Sequence, residues 1–526
     1  MPPNLLHPYH PIIYVRGFAA TQGEIEDTVA DPYMGFNIGS TKARMAWTGD
    51  VKRFYFESPL VRLMSEHKYH DVFEAGEDLI NSDRSNCVIP YRSVVIYRYY
   101  DEASSDFGAG DTLPIEHFAK GLGELILRLR DKICADSQNK VTPENFRVHL
   151  VAHSMGGLVC RALLQNPKLG QTARKLVDKL FTYATPHNGI DMRIVRNVPG
   201  WLSFGDANNF NRKRMASYLN LPTGDDVSIV HGFPPERIFN LVGTNPRDYT
   251  VAAGLSAWGA GDASDGLVRI ENATTHGPGK DGHDVSSPRA FVHRSHSGYY
   301  GIVNSEEGYQ NLTRFLFGAL RVDGILDIDD ITLPPEVQRN FEEGAEVQAS
   351  YQFEVIVSIR GCQWHMTRRE VRECSAIFRT YDELFPGRKG DDRPPDRSKS
   401  PHLFSVFLDP TKSVADSGSV SFSFDLKVLV PDYKVAGKLF MKRHYEGGYI
   451  MRELILVEVF PDPKAIGGWR VKYGYQRKNP GKPGIDTVTH ELKDEETTGI
   501  GFEIPIMQKT RPGLNGLLRI EARSVY

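Results

Sequence analysis

At 526 residues the chain exceeds the range over which one hydrophobic core keeps growing, so two or three domains are expected, and its 40% hydrophobic residues supply ample core. A formal net charge of −3 without a long basic run excludes the electrostatic footprint of a nucleic-acid binder. Five scattered cysteines (Cys87, Cys134, Cys160, Cys362 and Cys374), odd in number and without CxxC spacing, argue against a disulfide framework and against a zinc site.

The first residues, Met-Pro-Pro-Asn-Leu-Leu-His-Pro, carry no basic region followed by an apolar run, and no apolar stretch reaches the length of about 20 residues that spans a bilayer. A cytoplasmic location is expected, with signal-independent export left open. From residue 10 to 320, apolar extended runs alternate with helical patterns, as in βαβ units around a mostly parallel sheet. The expected strands are Pro11 to Val15, Ser93 to Tyr99, Phe146 to Ala152, Lys179 to Tyr183, Arg237 to Val242 and Arg289 to Val292. Helices are expected from Ile115 to Cys134, where Phe118, Leu122, Leu125, Ile126, Leu129 and Ile133 recur at helical spacing, and from Ser305 to Leu320 behind a serine N-cap.

Two long insertions, about 21–90 and 189–235, interrupt the alternation. Their apolar residues suit a cap over a site or a small satellite core. After Leu320 an acidic, proline-ended stretch, 321–346, reads as a linker. From 347 to 526 the pattern becomes period-two, most clearly at Val420, Phe422, Phe424, Leu426, Val428 and Val430, and an accessory β-sandwich domain is expected. A helical insertion is expected within it from Thr367 to Leu384.

The chemistry centres on Val151-Ala152-His153-Ser154-Met155-Gly156-Gly157, between a strand and a helix. Small residues two positions before and after Ser154 let the chain turn sharply enough to expose the serine hydroxyl beside a helix N-terminus, where developing negative charge is favoured. This nucleophile elbow resembles that of the lipase and esterase branch of the α/β-hydrolase superfamily, with Ala152 in place of the first glycine. The resemblance covers residues 10 to 318.

That resemblance implies a triad in the order Ser154, Asp265, His296. Asp265-Gly-Leu-Val is similar to the D-G-x-V segment carrying the acid, with Asp248 and Asp262 as competitors. His296 falls between the last core strand and the last helix, with His293 as its competitor. Arg16-Gly17-Phe18 resembles the H-G-F loop of lipases, which makes the Phe18 amide the partner of Met155 in an oxyanion hole. Ala184-Thr-Pro-His187-Asn-Gly189 resembles a further lipase segment, with His187 shaping the pocket floor. Arg16, Gly17, His153, His187 and Trp201 are the expected substrate contacts; Arg16 reads an anionic group or forms a structural salt bridge.

The reading is a serine carboxylic-ester hydrolase acting on lipid esters through an acyl-enzyme, with no cofactor and no metal. A phospholipase, including an exported effector toxin, is the alternative within the class. A non-catalytic binding protein on the same fold is the alternative outside it. The expected partners are the ester substrate and a lipid interface.

Overall fold

The computed structural model describes residues 8–17, 27–28, 30–46, 48–74, 77–78, 89–101, 113–190, 209–248, 263–298, 300–387, 394–413, 418–436, 442–462, 464, 469–475, 490–494 and 497–525. The chain divides into two compact units, Met1–Arg289 with His293–Phe317, and Ala290–Val292 with Gly318–Tyr526.

Seven strands form the main parallel sheet, in the order Arg289–Val292, Ile238–Gly243, Val177–Tyr183, Val148–His153, Ile12–Val15, Ser93–Tyr97, His70–Asp71. The pairings of Ile12–Val15 with both neighbours, and those of Val177–Tyr183 with Val148–His153 and Ile238–Gly243, are parallel. Every residue of Ile12–Val15 and Ile238–Gly243 is buried, as strands covered on both faces require. The six expected strands are present within two residues at either end. The helix Ile115–Ala135 buries Phe118, Leu122, Leu125, Ile126, Leu129 and Ile133. Its Gly121 and Gly123 serve packing: a Cβ at Gly121 would stand 2.3 Å from the Tyr97 hydroxyl, and that hydroxyl bonds Phe118 O at 2.8 Å. The last helix, Glu306–Phe317, starts where Ser305 Oγ accepts the Gly308 amide at 3.0 Å.

The first insertion holds an antiparallel hairpin, Ser40–Met45 with Val51–Phe56, then the helix Pro59–His67, and then His70–Asp71, which joins the main sheet. The insertion is latched to the last helix. Arg62 pairs with Glu306, Lys42 pairs with Glu307, and the Tyr309 hydroxyl donates to Glu66 at 2.9 Å. Leu60, Leu63 and Tyr69 are buried in this packing, whereas Tyr55 is exposed. Of the second insertion, Phe210, Met215 and Tyr218 are buried, and the Tyr218 hydroxyl bonds Asn209 O, which is satellite-core behaviour. Its residues Ile194, Val195, Trp201, Leu202 and Phe204 lie outside the described residues.

The second unit is a sandwich of two antiparallel sheets. One runs His402–Leu408, Leu320–Thr332, Gly513–Ser524, Thr497–Met507, His490–Asp494. The other runs Thr367–Arg369, Val347–Ile359, Val420–Ala436, Lys442–Pro461, Trp469–Tyr475. Val420, Phe422, Phe424, Leu426, Val428 and Val430 all point into one core, where Phe424 meets Phe404 of the facing sheet at 5.5 Å between ring centres.

Two expectations fail here. Residues 321–346 are no linker: Leu320–Thr332 is a thirteen-residue strand and Pro335–Glu342 a helix. The acidic residues that suggested a linker have partners across the strand or in a nearby loop, with Asp327 on Arg519 at 3.1 Å and Asp329 on Arg397. Thr367 to Leu384 is not a helix either. Strands Thr367–Arg369 and Ile377–Thr380 flank the single 3-10 turn Val371–Glu373, and only Tyr381–Leu384 is α-helical. Arg and Glu side chains gather in the turn, Arg372 meeting Glu370 at 3.0 Å and Arg368 meeting both Glu370 and Glu373.

Candidate active site

The strand Val148–His153 runs directly into the helix Met155–Gln165, and Ser154 between them has φ 51° and ψ −126°. A non-glycine residue held in that region costs about 1–3 kcal/mol and persists only where the surroundings over-determine it. Here Ser154 N donates to Tyr183 O at 2.9 Å and Ser154 O accepts the Gly157 amide at 3.1 Å. A Cβ at Gly156 would stand 2.3 Å from Val15 O, and one at Gly17 would stand 2.6 Å from Ser154 Cβ. Both glycines are therefore obligatory to the corner. Met155 opens the helix, so its amide is among those a helix leaves without an internal acceptor.

Ser154 Oγ lies 3.0 Å from His296 Nε2, and His296 Nδ1 lies 2.9 Å from Asp265 Oδ2. The other oxygen of Asp265 accepts the amides of Leu267 at 3.0 Å and Val268 at 2.8 Å, while the His296 amide donates to Asp265 O at 2.9 Å. The carboxylate is thus fixed from both sides, and the ring it holds points its second nitrogen at the serine. Gly243 makes room, since a Cβ there would approach Asp265 Cβ to 2.7 Å. Ser154, Asp265 and His296 are all buried, none more than 3% exposed.

Their competitors are elsewhere. His293 Nδ1 sits 3.5 Å from Thr244 Oγ1, and Asp248 is exposed, accepting the Asn245 side-chain amide at 2.5 Å. Asp262, Phe18 and Trp201 lie outside the described residues.

His153 reaches His296 from behind. Its Nε2 lies 3.0 Å from His296 O, with ring centres 4.8 Å apart. Burial, then the charges of His296 and Arg16, hold its pKa well below the ordinary imidazole value, so it stands as a neutral donor to that carbonyl. His187, expected at the pocket floor, is fully buried beneath the site: its Nε2 faces Thr182 Oγ1 at 3.1 Å and its carbonyl accepts Arg161 Nη1 at 2.9 Å. It braces the core, and it is not among the residues lining the cavity beside His153.

A cavity of about 330 Å³ opens beside His153 and Ser297, lined by Arg16 together with the apolar Met34, Phe36, Ile38 and Val303. The Arg16 guanidinium donates to Met34 O. Two contributors were not foreseen. The Tyr99 hydroxyl bonds Arg16 O at 2.8 Å and reaches Gly17 O at 3.3 Å, pinning the loop that crosses the elbow. Buried Arg294 makes a fork to Glu307, at 2.8 and 3.1 Å, and donates to Thr41 O at 3.1 Å. A charge two residues before His296 and an acid in the first turn of the last helix were the only signals of that pair in the sequence.

Sheet order, elbow and histidine loop together define an α/β-hydrolase fold for the first unit. Within it, residues 115–203 match the family described as PGAP1-like alpha/beta domain. No curated protein sequence matches the chain. Among solved structures, it is similar to the propeptide form of lipase BlEst2 from Bacillus licheniformis, at 11% identity over 84% of this chain and 96% of that one, TM-score 0.30. The mature form of the same lipase gives 15% identity over 51% and 80%, TM-score 0.26. Phospholipase PlaB from Legionella pneumophila gives 14% over 83% and 89%, TM-score 0.29. At scores of this size the fold rests on the strand order and the elbow.

Proposed function

We propose that the chain is a serine carboxylic-ester hydrolase that cleaves acyl esters of lipids through an acyl-enzyme. The observation carrying this reading is the uninterrupted relay from Ser154 Oγ to His296 Nε2 at 3.0 Å and from His296 Nδ1 to Asp265 Oδ2 at 2.9 Å. His296 takes the Ser154 proton as Oγ attacks the ester carbonyl. The Met155 amide, with that of Phe18 by resemblance, holds the oxyanion. His296 returns the proton to the leaving alcohol and then activates water to release the acid, while Asp265 fixes the imidazole tautomer.

Lipid esters are favoured by the cavity lining of Met34, Phe36, Ile38 and Val303, since each buried methylene contributes about 0.8 kcal/mol. The hairpin adds to this. Met45, Val51 and Tyr55 share one face and are 72%, 60% and 74% exposed, while Arg44 and Lys52 are exposed on the other face. An apolar tip flanked by cations suits contact with an anionic lipid surface. The phospholipase reading is favoured by one observation: Arg16 lines the same cavity, and among the described residues its guanidinium meets the Met34 carbonyl through one nitrogen, which suits a phosphate at the others.

The test is a chain-length series of p-nitrophenyl esters with wild type and Ser154→Ala, run beside fluorophosphonate labelling. Turnover that rises with acyl length and vanishes in Ser154→Ala is the expected result. An unlabelled, inactive wild type would favour a binding protein. Fatty-acid release from phospholipid vesicles in preference to triglyceride emulsion selects the phospholipase.

A further inference from the structure

A second cluster of catalysis-type side chains sits at the opposite end of the same strands, outside the machinery just described. His10 precedes the strand Ile12–Val15, His149 is the second residue of Val148–His153, and Asp178 is the second of Val177–Tyr183. These strands are neighbours in the sheet. One ligand atom from each of the three side chains lies within 4.8 Å of the others, and His149 Nδ1 is 3.6 Å from Asp178 Oδ2. Both histidines are buried, and Asp178 is the partly exposed member that opens to solvent.

The surroundings set each group up to donate a lone pair inward. His149 Nε2 lies 2.9 Å from Pro8 O; a carbonyl only accepts, so Nε2 carries the proton and Nδ1 the lone pair. His10 Nδ1 is engaged by the Tyr91 hydroxyl at 2.5 Å, and Tyr91 is itself held through its amide by Asn139 Oδ1, which leaves Nε2 as the nitrogen of His10 for a ligand. Asp178 turns Oδ1 toward Arg237 at 3.8 Å and Oδ2 toward His149. A histidine whose outer nitrogen is tied to a carbonyl, and a carboxylate whose second oxygen has its own partner, are what a metal centre requires behind its ligands.

We propose that His10, His149 and Asp178 form a binding site for a divalent transition ion, zinc foremost, with water completing a tetrahedron. Two imidazoles and one carboxylate favour zinc over magnesium or calcium, which take oxygen ligands. Ligand atoms around tetrahedral zinc stand about 3.3 Å apart, so the cluster closes by small side-chain movements. The ion joins the segment before the first strand to two central strands. Its role is structural, and it is independent of the ester chemistry at the other end of the sheet.

The untagged full-length chain, stripped with chelator and reloaded with zinc chloride, is the material for the test. Expected are about one zinc per chain by elemental analysis and a melting temperature a few degrees above the stripped protein. Cobalt loading should give the intense visible absorption of a four-coordinate centre. Asp178→Asn keeps the shape and removes the charge, and should weaken zinc binding at least about tenfold and abolish the melting shift; His149→Ala should do the same. Because His149→Ala removes a buried ring, Asp178→Asn decides if that variant fails to fold. Wild-type protein that takes up no zinc, or equal affinity and equal shift in wild type and Asp178→Asn, overturns the proposal.

Discussion

The strand Val148–His153 has a histidine near each end, and each lies beside a histidine–aspartate pair. At its C-terminal end, His153 supports His296, whose Nδ1 is bound to Asp265 at 2.9 Å and whose Nε2 faces the Ser154 hydroxyl at 3.0 Å. At its N-terminal end, His149 approaches Asp178 at 3.6 Å, but its Nε2 faces the Pro8 carbonyl at 2.9 Å. An imidazole acts as a base only where its outer nitrogen can accept a proton. A hydroxyl there permits proton transfer; a carbonyl forbids it and turns the inner nitrogen into a fixed lone pair. The partner of the second nitrogen, more than the residue types, separates the two ends.

The sharpest way to break this contrast is to make one substitution at both. Asp265→Asn should lower kcat on a soluble ester by about 10⁴-fold, because the wrong tautomer is then favoured. Asp178→Asn should leave kcat on the same ester within about twofold. Equal losses in the two variants would erase the distinction.

Next in size is the support behind His296. Burial pushes the Glu307 carboxyl up, but the charge of Arg294, then of Lys42, overcomes it and holds the pKa at about 2. Since the folded value lies below the ordinary 4.5, the contribution is complete above about pH 4.5 and is lost as the pH falls toward 2. Glu307→Gln strands a buried guanidinium and should cost about 3–5 kcal/mol at neutral pH. It should also flatten the dependence of stability on pH between about 4.5 and 2, as read by denaturant unfolding across that window.

Gly17→Ala tests the clearance at the elbow. A methyl 2.6 Å from Ser154 Cβ must displace Ser154 or the loop, and if Ser154 is the nucleophile as proposed, a shift of about 1 Å costs on the order of 10²-fold in kcat/KM. A fully active Gly17→Ala enzyme would mean that this approach is looser than drawn here. The smallest expected effect is at the hairpin. Met45→Asp with Val51→Asp should reduce binding to anionic vesicles by about tenfold in a sedimentation assay while leaving soluble-ester turnover unchanged.

Much of the first unit was legible because its signals are local. A strand, a corner of small residues and a helix lie within twenty residues around Ser154, and the order of Ser154, Asp265 and His296 is carried by the fold. What stayed hidden depends on partners distant in sequence. Asp323, Asp327, Asp329 and Asp330 resembled a solvated linker, yet Asp323 is buried against Arg321, His402 and Ser405, and Asp327 meets Arg519 from the far end of the chain. The same holds for His10, His149 and Asp178, which no spacing rule connects: only the parallel order of three strands brings their first turns of chain to one edge. The Thr367 to Leu384 segment, expected as a helix, is instead two short strands around a 3-10 turn in which Arg368, Glu370, Arg372 and Glu373 pair with one another.

The latch between the first insertion and the last helix has a mechanical consequence. Lys42 and Thr41, in the arm of the hairpin, hold Glu307 and Arg294, and Arg294 stands two residues before the imidazole that faces Ser154. If the proposed function holds, load on the hairpin as it meets an interface would pass through these ion pairs to the Ser154–His296 pair, so adsorption and turnover would share a lever whose fulcrum is a single buried carboxylate.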